Sequence, residues 1–163
     1  MLVGVVSDTH NNLVNIEKII TIFNQRQVDF VVHTGDITNA KSLERFLDLK
    51  CDLYGVYGNN DTYEIGLEEV ANKHDFKFQN PPLLLRKSDK EIAIFHEPDE
   101  IEKFLIDKKS IDVVLHGHTH RHRQEIINNV LFFNPGESAG MIKGKNAVGI
   151  LNLKDLSAET IYF

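Results

Sequence analysis

The sequence predicts an α/β fold of mixed (α+β) type, with two β-sheets packed together and flanked by helices. Two patterns predict it. In the first half, short apolar runs alternate with segments of helical spacing, as in βαβ units. In the second half, strand-like runs follow one another closely, as in hairpins.

The elements follow in order. Leu2 to Val6 is a short apolar run that suits a buried strand. Asn12 is placed to cap a helix whose apolar positions are Leu13, Ile16, Ile19, Ile20 and Phe23. A second buried strand begins at Phe30 and ends at His33, and Leu43, Phe46 and Leu47 suit a second helix. Leu53 to Tyr57 forms a third strand that stops at Gly58. A helix from about Glu64 to His74 follows, with Leu67, Val70 and Ala71 inward. Leu83–Leu85 and Ile92–Phe95 read as strands, Ile101, Phe104 and Leu105 as a helix, and Val113–Leu115 as a buried strand. Strands are then expected at about 122–127, 130–133, 146–153 and 158–162, with Asn128-Asn129 as a hairpin turn.

With 163 residues the chain suggests one domain, 1–163, large enough to bury a core without disulfides. Its single cysteine, Cys51, leaves no internal disulfide and no Cys-x-x-Cys zinc site, and suits a reducing compartment. The N-terminus turns polar after six residues, unlike a signal peptide, and no apolar run approaches a membrane span. The expected location is cytoplasmic, with no membrane partner. A formal net charge of -6 argues against a stable nucleic-acid-coating role. Four of the eight histidines fall between His116 and His122, which is the first sign of metal chemistry.

Ligand-type residues recur directly after the predicted strands, where α/β sheets bind ligands. Asp8 and His10 follow the first strand, and Gly35-Asp36 follows the second. Asn59, Asn60 and Asp61 follow the third. His96 follows Ile92–Phe95, and His116, His118 and His120 follow Val113–Leu115. Each has an ordinary reading by itself: Asp8-Thr9-His10 as a turn and cap, Gly58-Asn59-Asn60-Asp61 as a loop, His96 as an unremarkable histidine. His118 and His120, two apart on an extended segment, face the same way. Together the strand ends offer imidazole, carboxylate and amide groups and no thiol, which suits first-row divalent ions.

The order Asp8-x-His10, Gly35-Asp36, Gly58-Asn59, His96, Gly117-His118-x-His120 resembles the calcineurin-like metallophosphoesterase superfamily. The short length and the ending Asn134-Pro135-Gly136 resemble its small prokaryotic branch, the YfcE-type phosphodiesterases. The resemblance covers about residues 3–138. It implies a four-layer sandwich of two mixed sheets between helices. It also implies two divalent metal ions, manganese first, with nickel, iron or zinc as alternatives. One ion would sit on Asp8, His10 and His120, the other on Asn59, His96 and His118, with Asp36 bridging. Two such ions acidify a water and offset phosphate charge.

The chain departs from the family pattern at three places. Asn60 stands where many members have a histidine that protonates the leaving group. An amide can donate to a phosphate oxygen but cannot act as a general acid. Slow turnover on unactivated esters is therefore expected. Glu97 follows His96 where glycine is usual, and Glu137 replaces the usual serine after Asn134-Pro135-Gly136. His33, His74 and His122 read as structural or surface histidines, and His116 as either a buried strand-end residue or a support for the site.

The expected function is hydrolysis of a small phosphodiester, with Asp36 and Asn60 as candidate catalytic residues. The alternatives are a phosphomonoesterase and a non-catalytic protein-interaction module like the retromer subunit of the same fold. A homo-oligomer, dimer or tetramer, could form along a strand edge of the C-terminal third.

Overall fold

The computed structural model describes residues 1–107 and 110–163. Its elements run β1 (Leu2–Val6), α1 (Leu13–Arg26), β2 (Phe30–His33), α2 (Ala40–Arg45), β3 (Asp52–Val56), α3 (Leu67–Lys73) and β4 (Lys77–Gln79). They continue with β5 (Leu83–Lys87), β6 (Lys90–Ile94), α4 (Ile101–Asp107), β7 (Val113–Leu115), β8 (Arg123–Ile127), β9 (Val130–Asn134), β10 (Ala147–Asn152) and β11 (Ser157–Tyr162).

The strands form two mixed sheets, ordered β11-β10-β1-β2-β3-β4 and β5-β6-β7-β9-β8. In the first sheet β1 to β4 are parallel and the β10–β11 hairpin adds antiparallel to β1. In the second, β6, β7 and β9 are parallel between antiparallel edges β5 and β8.

Period-2 alternation sorts side chains between layers. Val3, Val5, Phe30 and Val32 from one sheet meet Ile92, Ile94, Val113, Leu115, Leu131 and Phe133 from the other in the central core. Val31 points the opposite way, onto Ile16, Ile19 and Phe23 of α1 and Leu43 of α2. Ala93, Val114 and Phe132 point outward beneath Ile101 and Phe104 of α4. The layering is therefore helix, sheet, sheet, helix, and each fully buried side chain of this size contributes about 1.5–3 kcal/mol.

Local signals explain the element ends. The Asn12 side chain accepts the backbone N–H of Asn15 at 3.1 Å and caps α1. Asn128 and Asn129 both adopt positive φ, 51° and 67°, as a tight hairpin turn with a right-handed twist requires. Three details differ from the sequence reading. The third helix begins at Leu67 rather than near Glu64, because Gly66 at φ 91° breaks the helical path just before it. The second helix tightens to a 3₁₀ turn at Phe46–Asp48, which turns Leu47 outward while Phe46 stays buried. Strand β4 was not expected, since Lys77-Phe78-Gln79 holds one apolar residue and carries no strand pattern of its own. Among the described residues, no helix is long and apolar enough to cross a membrane.

Candidate metal centre

The C-terminal ends of β1, β2, β3, β6 and β7 open toward one rim, and the loops that leave them are stitched together by backbone hydrogen bonds. Asp8 N donates to Gly35 O at 3.1 Å and His10 N to Asp36 O at 2.8 Å. Gly117 N donates to His96 O at 3.0 Å, which joins the second sheet's two loops. Ser138 N donates to Asp8 O at 3.3 Å and brings in the segment after β9.

All seven candidate ligands meet here, in two groups. Asp8, His10 and His120 place ligand atoms within 4.8 Å of one another. Asp8 Oδ1 lies 3.3 Å from His120 Nε2. In the second group, Asn59 Oδ1 lies 2.9 Å from His96 Nε2 and 3.0 Å from His118 Nδ1, and the two histidine nitrogens are 3.3 Å apart. Divalent ions with bonds of about 2.1 Å keep neighbouring ligand atoms roughly 3 Å apart, so this triangle is of coordinating size. Asp36 stands between the groups. Its Oδ2 faces His10 Nε2 at 3.9 Å and its Oδ1 faces His96 Nε2 at 3.5 Å.

The backbone is bent to achieve this. Asp8, His10, Asp36, His118 and His120 all adopt positive φ, between 44° and 67°. Each such residue costs about 1–2 kcal/mol unless its surroundings compensate, and clusters of them mark functional sites. Gly35, at φ 104°, has no room for a side chain, since a Cβ would stand 2.6 Å from His96 Nδ1. At Gly58 a Cβ would collide with the Asp36 carboxylate. These glycines let the loops close on the carboxylate.

Residues around the ligands fix their orientation. His96 Nδ1 donates to Thr34 O at 2.9 Å, so a neutral ring in that tautomer turns its Nε2 lone pair toward the cluster. The Asn60 backbone N–H and side-chain Nδ2 donate to Asp36 Oδ1 and Oδ2 at 2.9 and 2.7 Å. The Asn60 amide thus serves Asp36 rather than standing free for a phosphate oxygen. Asp61, 4% exposed, accepts the backbone N–H groups of Asp36, Ile37, Thr38 and Gly58 at 2.7–2.8 Å. Buried His33 accepts Gly35 N at Nδ1, 3.1 Å away, and its Nε2 lies 3.0 Å from Thr9 Oγ1. It ties the loop after β1 to the loop after β2. Glu137, fully buried, accepts Gly140 N and Ile142 N at 2.8 and 3.0 Å and organises the loop before β10.

Electrostatics favour a cation. Burial pushes the Asp36 carboxyl up, but the His96 and Asn60 hydrogen bonds outweigh it and hold the group well below the usual carboxylate range. His120 is raised by its contact with Asp8. Burial lowers His96, yet the contact with Asp36 raises it overall. The carboxylates therefore draw positive charge onto these rings, and a metal ion meets the same demand. Two buried atoms, Asp8 Oδ1 and His10 Nε2, have no hydrogen-bond partner among the described residues. Orphaned lone pairs on a carboxylate and an imidazole fit a divalent ion.

His116 is buried, with Nδ1 3.3 Å from Gly117 O and Nε2 3.5 Å from Arg123 Nη1. Burial lowers its pKa to about 4, so it stays neutral. Glu97 is exposed, and His122 packs edge-on against Phe133. The supporting roles of Asp61 and His33 were not legible in the sequence, because their partners are backbone groups that leave no residue signature.

A two-sheet sandwich with carboxylate, imidazole and amide groups gathered at one rim defines the class of metal-dependent phosphoester hydrolases. The chain belongs to the calcineurin-like phosphoesterase superfamily, whose domain matches residues 1–156. That family implies divalent metal ions. The chain is 33% identical over 154 residues to Phosphodiesterase MJ0936 of Methanocaldococcus jannaschii, covering 93% of each. It superposes on the solved structure of an archaeal phosphodiesterase with TM-score 0.90 and 32% identity over all of both chains. The fold also matches YfcE, a phosphoesterase from E. coli, with TM-score 0.71 and 22% identity over 99% of this chain and 98% of that one.

Proposed function

We propose that this chain, acting as one domain, hydrolyses a small phosphodiester with two divalent ions. Asp8, His10 and His120 would hold one, Asn59, His96 and His118 the other, and Asp36 would be shared. The observation that carries this reading is the position of Asp36, with one carboxylate oxygen toward each group.

When bound, the ions supply Lewis acidity and lower the pKa of a water toward neutrality. The chain's own residues do the rest. Asp36 stays ionised across the working pH range, and Asn60 holds both of its oxygens in place. Thr34 O fixes the His96 ring. In the reaction a bond forms from water oxygen to phosphorus and the ester P–O bond breaks; the attacking water gives up a proton to solvent, and the leaving oxygen departs as an anion that takes its proton from solvent. The Asn60 amide cannot act as a general acid, so esters with acidic leaving groups are favoured. The thiol-free set of imidazole, carboxylate and amide donors admits manganese, nickel, iron or zinc, and manganese heads the candidates on the resemblance to the family rather than on the donors.

Diester over monoester is supported by the relatives named phosphodiesterases. A non-catalytic interaction module has no need of seven candidate ligands, five of them held on strained backbone. The reading includes a cytoplasmic location, supported by the free Cys51 and the low content of cysteine.

The test compares bis-p-nitrophenyl phosphate with p-nitrophenyl phosphate in the presence of manganese. Higher kcat/KM on the diester is expected. A preference for the monoester would replace this reading with a phosphomonoesterase.

A further inference from the structure

Beside the candidate metal centre lies an open cavity of about 640 Å³, which shares His118 as a wall. Its other lining residues include Thr119, Arg121 and Arg123. Nothing in the family motifs requires arginine at either position after His120.

The two arginines are presented differently. Arg123 is fixed: its Nε donates to Glu125 at 2.5 Å, its guanidinium lies over Phe132 at 4.6 Å, and its Nη1 meets His116 Nε2 at 3.5 Å. Its second terminal nitrogen makes no hydrogen bond among the described residues. Arg121 is exposed and forms no ion pair among the described residues. The loop beneath it is held by Asn134, whose Nδ2 donates to Gly117 O at 3.0 Å and Thr119 Oγ1 at 3.2 Å. An anchored loop thus carries one free guanidinium and one oriented guanidinium, both permanently charged, over a cavity that opens on a metal ligand. Arg123 is ion-paired with Glu125, so Arg121 carries the uncompensated arginine charge of the lining, in a chain of net charge -6. Arginine's planar fork matches phosphate oxygens, and a site that only retained water would have no use for it.

We infer that this cavity is a phosphate subsite, and that the substrate is a phosphodiester carrying a second phosphate group, held by Arg121 and Arg123 while the ester phosphate lies at the metal centre. This rests on the reading given under Proposed function. It narrows the substrate class to phosphodiesters that carry a further phosphate and disfavours small neutral-armed diesters.

The test uses two substrates that differ in that phosphate alone: thymidine 5′-(p-nitrophenyl phosphate) with and without a 3′-phosphate. In manganese-loaded wild type, the 3′-phosphate should raise kcat/KM by about tenfold or more, the effect of one or two charge-assisted hydrogen bonds. In Arg121→Gln the ratio should fall toward one. The ratio is taken within each protein, so a general loss of activity cancels. Thymidine 3′,5′-bisphosphate and thymidine 5′-monophosphate are also titrated calorimetrically against both proteins. Tighter binding of the bisphosphate that depends on Arg121, without turnover of either ester, would uphold the subsite and refute the hydrolase. A ratio near one in wild type, or a high ratio retained in Arg121→Gln, would overturn the subsite and leave the hydrolase standing.

Discussion

The Asp61 carboxylate accepts the backbone N–H of Asp36 at 2.8 Å, so one buried acid fixes the main chain of another. The same group takes the N–H donors of Ile37, Thr38 and Gly58. Two strand-end loops are closed around a single side chain, and Asp36 is aimed by that closure.

Asp61→Ala should therefore cost more than an ordinary polar substitution. It leaves four backbone donors without their acceptor in a site that is 4% exposed. About 3 kcal/mol is expected, since each orphaned donor costs about 1–3 kcal/mol and the loop can relax toward water for some of them. Urea unfolding in chelator measures it. A loss under about 0.5 kcal/mol, the range of an ordinary surface substitution, would show that the loops hold without Asp61.

His33 gives a pH signature. Burial holds its pKa down from 6.5 to about 3, so the folded state keeps the ring neutral while the unfolded chain protonates it. The unfolded state takes up the proton first, and stability falls as pH drops from 6.5 toward 3, by up to about 1.4 kcal/mol per pH unit inside that window. Above pH 6.5 the contribution is fully present. His33→Gln should remove close to one proton from the acid slope while other histidines retain theirs. Chelator-treated wild type and variant are compared by urea unfolding between about pH 7 and pH 4. Equal slopes would mean that His33 does not stay neutral.

Asn60 stands within hydrogen-bond reach of Asp36, where the family often carries a proton donor. Asn60→His should raise turnover of bis-phenyl phosphate relative to bis-p-nitrophenyl phosphate by about tenfold or more, because only the poorer leaving group needs the proton. An unchanged ratio in protein that binds its metals normally would place residue 60 away from the leaving group.

Much of this architecture could be read from residue order. Strand-end positions of Asp8, Asp36, Asn59, His96 and His118 were visible because parallel strands deposit their loops on one rim. Continuous apolar runs at Val113–Leu115 and Leu131–Phe133 marked the buried second sheet. Strand β4 was invisible because only its pairing with β3, between Tyr54–Val56 and Lys77–Gln79, makes it a strand. The Asn60 contact with Asp36 and the left-handed backbone at His10 and His120 depend on loop closure, which no local pattern encodes. The cavity under Arg121 and Arg123 arises where the His118–Arg123 loop passes Pro98, far away in sequence.

The most direct measurement follows bis-p-nitrophenyl phosphate hydrolysis by metal-stripped protein as manganese is added, alongside metal content per chain and the Asp36→Asn variant. The account predicts that activity rises with the second ion bound. It also predicts that Asp36→Asn binds fewer than two ions and loses activity by about a hundredfold or more, as loss of charge at the shared ligand requires. Full activity in Asp36→Asn with both ions retained, or turnover by wild type without any added metal, would contradict it.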